Sequence, residues 1–309
     1  MGSSKTTHLI LFVLCKPFFP IVSVYCYFKP YSIFKNRISF FVFVVERLIC
    51  IFIVSKNIFK FTCICFVYDN NFKFRPGKTI ELELPLYGGV YMSTDYNFLM
   101  VGQTNFEEDD SKEVFRIIRY TKDWKKVDHA SIYGANTTVP FDAGSCRFDR
   151  SGNVLYIRTA HEMYTSEDGL NHQANVMIAL RISDMTVTDQ LTKVWNSGYG
   201  YVSHSFNQFV RVDGDTLLAV DHGDYHPRSV ALFKYSKKAG SETFYGKTTM
   251  VNALPIVSST YHYNDTGVSL GGFEVSDTAY LIVGTTVSHE GDYDLFGQRN
   301  IFITVTDKD

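Results

Sequence analysis

The sequence lacks several features that identify common classes of small exported, metal-binding or nucleotide-binding proteins. Residues 71–309 contain one cysteine, Cys146, so this part of the chain cannot form an internal disulfide. The other five cysteines lie in the first 70 residues, and their spacings do not give the paired ligands of a structural zinc site. Glycine-rich phosphate-binding motifs and a Gly-x-Ser-x-Gly nucleophile motif are also missing. Nucleotide sites of those types and a nucleophile elbow therefore have no support.

Acidic residues are nearly absent from residues 1–70, which contain two Asp/Glu against eight Lys/Arg, together with 12 of the 26 phenylalanines. Residues 71–309 contain 30 acidic and 22 basic side chains, so the formal net charge of −2 conceals two different compositions. The excess of acidic side chains in residues 71–309 argues against a protein that binds nucleic acid through its overall charge. We expect a hydrophobic leader at 1–70 and one folded domain at 71–309.

The leader contains two apolar runs, residues 9–28 and 38–54, each close to the roughly 20 residues that a membrane helix needs. Lys16-Pro17 interrupts the first run and Glu46-Arg47 the second, at positions where charge is costly in a bilayer. Three interpretations remain open: a membrane anchor or uncleaved signal through residues 9–54, a hydrophobic extension of the folded domain, or translated AT-rich non-coding sequence. The first predicts a membrane-associated or extracellular protein.

Four segments of the folded part align on the apolar end of an alternating run. The intervals between these anchors are 56, 63 and 63 residues, and the anchors are Val101, Ile157, Val220 and Val283. A turn and a strand precede each anchor, and a Gly-Gly-x-x-x-Ser pattern occurs at 88–93 and again at 271–276. A third strand-like run follows each anchor, and a less regular outer strand follows in three copies. Four short antiparallel strands in each repeat of this length are typical of a β-propeller blade.

The sequence therefore predicts an all-β fold, a β-propeller of about four blades or a fragment of a larger ring. The blades are expected near 88–143, 144–203, 204–266 and 267–309. A strand at 78–86 is expected to close the ring by completing the last blade. A β-sandwich and a β-solenoid fit less well, because a sandwich predicts no recurring register and a solenoid repeat is shorter.

Several runs resemble those of uncharacterised β-propeller-like repeat proteins, including bacterial surface proteins that carry S-layer attachment modules. These runs are Ser203-His204-Ser205-Phe206-Asn207-Gln208-Phe209, Asp221-His222-Gly223-Asp224 with Pro227-Arg228-Ser229, Gly271-Gly272-Phe273-Glu274-Val275 and Arg299-Asn300-Ile301-Phe302. The resemblance covers about residues 80–309 and none of the first 70. It implies a propeller at a cell surface, and it brings no established catalytic residues.

Histidines and carboxylates are concentrated after the anchors, where equivalent loops of a propeller would lie on one face. The candidate ligand-binding residues are His161, His172, His204, Asp221, His222, Asp224 and Arg228. Such side chains could bind a divalent metal, act as general acid and base on a polysaccharide, or form structural hydrogen bonds between blades. The run from Asp221 to Asp224 is the strongest single candidate. The run Glu107-Glu108-Asp109-Asp110 is interpreted as a solvated loop tip, because its oxygens lack EF-hand spacing.

Two functional hypotheses follow. The preferred one is a non-catalytic propeller, exported or tethered to a membrane, that binds a protein or glycan ligand through one loop face. It requires no cofactor and no nucleic acid, although a divalent metal is compatible with it. The alternative is a polysaccharide hydrolase or lyase that uses His and Asp residues of the same face, so enzymatic activity is left open.

Overall fold

The computed structural model describes residues 38–45, 48–55, 62–68, 74–142, 144, 146–192, 206–223, 229–236, 248–255, 267–287 and 298–308. These residues form twenty β-strands, and no helix occurs among them. The chain divides into two compact units between Glu81 and Leu82, later than the expected boundary at residue 70.

A membrane-spanning helix is not present among the described residues. The expected membrane segment was residues 9–54. Its first part, residues 9–37, lies outside the described residues, and the described remainder is in strands β1 (Ile38–Val45) and β2 (Leu48–Ser55).

The N-terminal unit contains one antiparallel sheet in the order β1-β2-β3-β4, completed by β3 (Thr62–Tyr68) and β4 (Phe74–Glu81). Strand β4 includes the beginning of the segment at 78–86 that was expected to close the last blade. In the structure it pairs with β3, which immediately precedes it in sequence. Pairing between consecutive strands closes only a short loop, which costs less chain entropy than pairing with a distant strand.

The C-terminal unit contains four antiparallel sheets, which we number I to IV along the chain. Sheet I consists of β5 (Leu86–Met92), β6 (Tyr96–Gly102), β7 (Glu113–Thr121) and β8 (Lys126–Tyr133). Sheet II consists of β9 (Val139–Pro140), β10 (Arg147–Ser151), β11 (Val154–Thr165), β12 (Asn171–Arg181) and β13 (Thr186–Leu191). Sheet III consists of β14 (Phe206–Asp213), β15 (Thr216–Gly223), β16 (Ser229–Ser236) and β17 (Thr248–Pro255). Sheet IV consists of β18 (Ser269–Val275), β19 (Ala279–Val287) and β20 (Arg299–Asp307).

Each of these sheets is a meander of consecutive strands, apart from the short β9, which pairs with the far end of β11. The first long strands of successive sheets contact each other: β5 contacts β10, β10 contacts β14, and β14 contacts β18. Sequential antiparallel sheets with their first strands gathered together form the arrangement of a β-propeller. The prediction of an all-β fold in antiparallel sheets is confirmed.

Hydrophobic clusters fill the spaces between neighbouring sheets. Phe98 and Met100 of sheet I pack with Leu155 and Ile157 of sheet II. Residues on the opposite face of sheet II pack against sheet III, as Tyr156 of β11 does with residues of β15 and β16. A third cluster joins sheets III and IV. Full burial of one such side chain stabilises the fold by about 1.5–3 kcal/mol, so these inter-sheet clusters are a principal source of stability.

The recurring Gly-Gly-x-x-x-Ser pattern has the same local structure in sheets I and IV. Gly88 and Gly271 each occupy an irregular position in the first strand, where the pairing register shifts by one residue. Ser93 and Ser276 each close the following hairpin, because the hydroxyl donates to a carbonyl three residues later and accepts from the same residue's amide. Both parts of the pattern therefore have a structural role.

Candidate functional site

The second strands of sheets II and III extend beyond the anchors that the sequence placed at their ends. Strand β11 continues from Ile157 to Thr165, and β15 continues from Val220 to Gly223. His161 and Glu162 pair with Ala174 and Gln173 of β12, and also with β9. The expectation that these polar residues lie in loops is wrong, because strand pairing on both sides continues through them.

Asp221 is fully buried in an ion pair with Arg158 of the neighbouring sheet. The Arg158 Nε atom donates to Asp221 Oδ1 over 3.0 Å, and Nη2 donates to Oδ2. Burial raises the pKa of the Asp221 carboxyl, and the positive charge of Arg158 acts in the opposite direction. Because a guanidinium remains protonated in proteins, the two groups form a charged pair that joins sheet II to sheet III.

Further polar side chains complete this buried group. Asn175 Nδ2 donates to Asp221 Oδ2 over 3.2 Å, and the Arg158 guanidinium donates to the Tyr235 hydroxyl over 3.4 Å. Gln208 Nε2 donates to the Thr159 carbonyl over 3.0 Å and also to the side-chain oxygen of Asn175. Buried charged side chains require such partners, since an unpaired charge inside a protein reduces the free energy of unfolding by several kcal/mol. Asp221, the first residue of the strongest candidate run, therefore belongs to an inter-sheet hydrogen-bond network.

His161 is fully buried, and its Nδ1 atom lies 2.6 Å from the Thr137 hydroxyl. That hydroxyl also donates to the Ala135 carbonyl over 2.9 Å, so His161 Nδ1 is the protonated nitrogen that donates to Thr137. Burial lowers the pKa of His161 to about 3. The imidazole is therefore neutral, and its Nε2 atom has no hydrogen-bond partner among the described residues.

His222 is buried, but it does not converge with His161. Side chains alternate along β15, so His222 shares a face with Leu218 and Val220, which pack in the cluster between sheets III and IV. Asp221 projects to the opposite face, toward sheet II. The buried candidates His161, Asp221 and His222 thus belong to different inter-sheet spaces.

His172 is the one predicted site residue in the described part of the chain that is substantially accessible to solvent. Its Nε2 atom lies 2.7 Å from Asp168 Oδ2 in the hairpin between β11 and β12. Hydrogen bonds from Ser166 and His172 lower the pKa of Asp168 to about 2. The other three candidates, His204, Asp224 and Arg228, lie outside the described residues.

Within the described ranges, no group of three or more His, Cys, Asp or Glu side chains is arranged to hold a metal ion. A shallow groove of about 410 Å³ lies between β8 and β13, with Tyr133, Asp189 and Gln190 in its walls. The residues that line this groove include none of the predicted site residues.

The structure reveals an assembled surface that the sequence did not single out. It consists of residues 103–112, 134–142 and 162–173, which we call the loop face. The Thr165 amide and hydroxyl donate to Glu108 over 2.7 and 2.6 Å, and Asn105 Nδ2 donates to the Tyr164 hydroxyl over 3.0 Å. The Asn105 amide donates to the Thr138 carbonyl over 2.7 Å, which ties in the middle segment. The run at 107–110 is therefore partly structural, because Glu108 connects sheets I and II.

Two exposed apolar side chains stand on this loop face among many carboxylates. Phe106 is 69% exposed and Leu170 is 58% exposed. The three segments contain eight Asp/Glu residues and one lysine, Lys112, which pairs with Glu107 over 2.8 Å. A signal for this surface existed in the sequence, since Phe106 directly precedes four consecutive acids.

Comparison with known proteins finds solved structures with similar geometry and low sequence identity. A mutant of Synechocystis apocarotenoid oxygenase aligns with a TM-score of 0.46 at 12% identity, over 84% of this chain and 56% of that chain. A thermostable family-43 glycoside hydrolase aligns with a TM-score of 0.37 at 13% identity, over 88% of this chain and 90% of that one. A B. megaterium levansucrase mutant aligns with a TM-score of 0.37 at 10% identity, over 85% and 81%. The chain thus spans 56% of the length of the apocarotenoid oxygenase.

No protein-family model matches the chain, and no curated protein sequence matches it.

Proposed function

We propose that the protein is a non-catalytic β-propeller that binds a positively charged protein ligand through the loop face. The observation that carries the proposal is the exposure of Phe106 and Leu170 on segments that are held together by hydrogen bonds and contain eight Asp/Glu residues. Apolar anchors supply binding energy when a partner buries them, and surrounding charges select the partner and accelerate its association. The same carboxylates repel phosphates, which disfavours a nucleic-acid ligand.

Hydrogen bonds lower the pKa values of three acidic groups of the loop face. The hydrogen bond from Lys112 lowers the pKa of Glu107, and hydrogen bonds from the Thr165 side chain and amide lower that of Glu108. Hydrogen bonds from the Ser111 side chain and amide likewise lower the pKa of Asp109. Each of these three carboxylates therefore keeps its negative charge into the acidic range. A ligand rich in lysine or arginine complements this surface.

The segments of the loop face are also fixed before any ligand binds. Glu108 accepts three hydrogen bonds from Thr165 and Asn171, and Thr138 binds the Glu162 backbone carbonyl with both its amide and its hydroxyl. A surface that is ordered in advance loses less conformational entropy on binding. This arrangement supports recognition by a rigid face of the propeller.

The test uses a fluorescein-labelled peptide of alternating lysine and leucine residues. A labelled peptide of alternating glutamate and leucine residues is the negative control. Anisotropy titration of the full chain should show binding of the lysine peptide only, weakening as salt is raised to about 0.5 M. The double variant Phe106→Ser with Leu170→Ser should bind at least about tenfold more weakly. The matched control, Val127→Ser with Tyr133→Ser, changes two exposed residues of β8 and should bind as the wild type does.

Equal binding of both peptides, or equal loss in both double variants, would contradict the proposal. Displacement of the lysine peptide by a neutral soluble polysaccharide would instead favour the glycan ligand that the sequence left open.

On this proposal, the protein lies outside the cell or at a membrane, where residues 9–54 would associate with the bilayer. The four sheets of the C-terminal unit would form a ring of about four blades or a part of a larger ring.

A second candidate function is hydrolysis or elimination of a polysaccharide, and the exposed pair of His172 and Asp168 favours it. A carboxylate 2.7 Å from an imidazole can fix its tautomer and orient it as a general base. If this function holds, purified protein should release reducing or unsaturated ends from a plant or bacterial polysaccharide, and His172→Asn should abolish the release. The variant His129→Asn, which changes an exposed histidine of β8, is the control.

A further inference from the structure

Strand β20 lies at the edge of sheet IV in the described part of the chain. Sheets I, II and III each have a fourth strand beyond the third: β8, β13 and β17. Strand β20 occupies the third position and pairs with β19 along all nine of its residues, from Arg299 to Asp307. Its other edge presents backbone amides and carbonyls that a further strand could pair with.

One face of β20 is apolar and exposed. Ile301, Ile303 and Val305 alternate along the strand, and their side chains are 76%, 62% and 60% exposed. The third strands of the other sheets, β7, β12 and β16, hold consecutive buried residues, so both of their faces are covered. Exposed apolar residues on a strand whose outer edge has no partner strand among the described residues normally mark an interaction surface.

The strand also lacks the usual features that prevent edge pairing. The sequence from 300 to 306 reads Asn-Ile-Phe-Ile-Thr-Val-Thr, so the strand has no charged residue and no proline between its two ends. The charged residues are Arg299 at one end and Asp307 at the other, on the same face as the apolar row. Ile303 lies at the centre of this face, with one apolar residue and then one charged residue on each side, and the two charges are opposite in sign.

We propose that β20 pairs with β20 of a second copy of this chain, antiparallel, about a two-fold axis through Ile303. In this register Ile303 lies opposite Ile303 of the second copy, and Ile301 lies opposite its Val305. Arg299 lies opposite Asp307 of the second copy, and the reverse pair forms at the other end. Every directly opposed pair on the exposed face is then apolar with apolar or positive with negative, which stabilises antiparallel strands.

The charge pattern is the reason to choose a second copy as the occupant. A symmetric interface uses the same patch twice, so the patch must complement itself when it is reversed. The sequence of β20 meets this condition at five alternating positions, 299, 301, 303, 305 and 307.

The first experiment measures the association of the full chain by sedimentation velocity up to about 50 µM. The wild type should form a dimer, and Ile303→Lys should weaken it at least about 100-fold, because two lysines would face each other at the axis. Val127→Lys changes an exposed apolar residue of another outer strand, β8, and should leave the dimer intact. A monomeric wild type, or loss of the dimer only in Val127→Lys, would overturn the proposal.

The second experiment tests the register by exchanging charges, and the thermal melting of each variant checks that it is folded. Arg299→Asp and Asp307→Arg should each weaken the dimer, since each places like charges opposite each other. The double variant should restore the dimer, because the exchanged residues are again complementary. Absence of restoration would overturn this register. In a monomer, slow hydrogen exchange of those 299–307 amides that point away from β19 would show that another segment of the same chain covers the edge, and would also overturn the proposal.

Discussion

Arg158 and Asp221 bind each other through two hydrogen bonds although they lie 63 residues apart in the sequence. Each residue directly follows an anchor of the aligned segments, Ile157 in one case and Val220 in the other. Arg158 lies on the face of β11 that points to sheet III, and Asp221 lies on the face of β15 that points to sheet II, so the pair joins these two sheets. The same interval separates Asp149 from the Val212 amide that it binds.

Removing one member of the buried pair should destabilise the protein strongly. Asp221→Ala leaves the Arg158 guanidinium buried without its counter-ion, and we expect the free energy of unfolding to fall by about 3–5 kcal/mol. Replacing both residues, as in Arg158→Met with Asp221→Leu, should cost much less, because no uncompensated charge remains. Urea denaturation monitored by intrinsic fluorescence gives these free energies.

The control for this prediction is a pair that is more accessible to water. Arg150 and Asp95 join the hairpins of sheets I and II, with side-chain exposures of 23% and 43%. Arg150→Ala should cost at most about 1 kcal/mol. If Arg150→Ala and Asp221→Ala destabilised the protein equally, burial would not be the cause of the effect.

Glycine occupies the same position after the anchor in sheets I and IV, at Gly102 and Gly284. A Cβ atom on Gly102 would lie 2.8 Å from the Val114 carbonyl oxygen and 2.9 Å from Pro140 Cβ. Backbone atoms cannot move away without breaking strand pairing, so we expect Gly102→Ala to reduce the free energy of unfolding by about 1–3 kcal/mol. Thermal or urea unfolding measures the change.

The control glycine is Gly271, where the nearest atom to an added Cβ is the Val283 carbonyl oxygen at 3.8 Å. Gly271→Ala should change stability by less than about 1 kcal/mol, since that distance is an ordinary contact. A larger loss for Gly271→Ala than for Gly102→Ala would refute the steric explanation.

Local patterns in the sequence predict the strands and hairpins because those structures depend on neighbouring residues. The turns at Gly152 and Gly214 lie where glycine and polar residues separate two alternating runs, and both glycines have positive φ. Ser93 and Ser276 each bond to a residue three positions later, so their role depends on a local pattern that the sequence alone shows.

The candidate site is harder to predict because burial depends on the neighbouring sheet. Polar residues after an anchor suggest loops, but pairing with β9 and β12 extends β11 through His161. Arg158 is not among the predicted site residues, although an arginine within an apolar strand signals a buried partner; its partner is distant in the sequence. The four acids after Phe106 are a local signal for the loop face, but the hydrogen bonds that join its segments link residues as distant as Glu108 and Thr165, which a local pattern does not predict.

The buried His161 should make the stability of the protein depend on pH. Its pKa is about 3 in the folded protein and near 6.5 in an unfolded chain, so the unfolded chain binds more protons between these values. The free energy of unfolding should therefore fall as the pH is lowered from about 6.5, by about 2 kcal/mol at pH 5.

The measurement compares the pH dependence of unfolding in wild type and in His161→Asn, which keeps a donor for Thr137 but cannot be protonated. The difference in the free energy of unfolding between the two proteins should shrink as the pH falls from 7 to 5, since only the wild type carries the histidine contribution. His129→Asn, at an exposed position of β8, should leave the slope unchanged. Parallel curves for wild type and His161→Asn would mean that His161 does not remain neutral in the fold, because a histidine protonated equally in both states contributes no pH dependence.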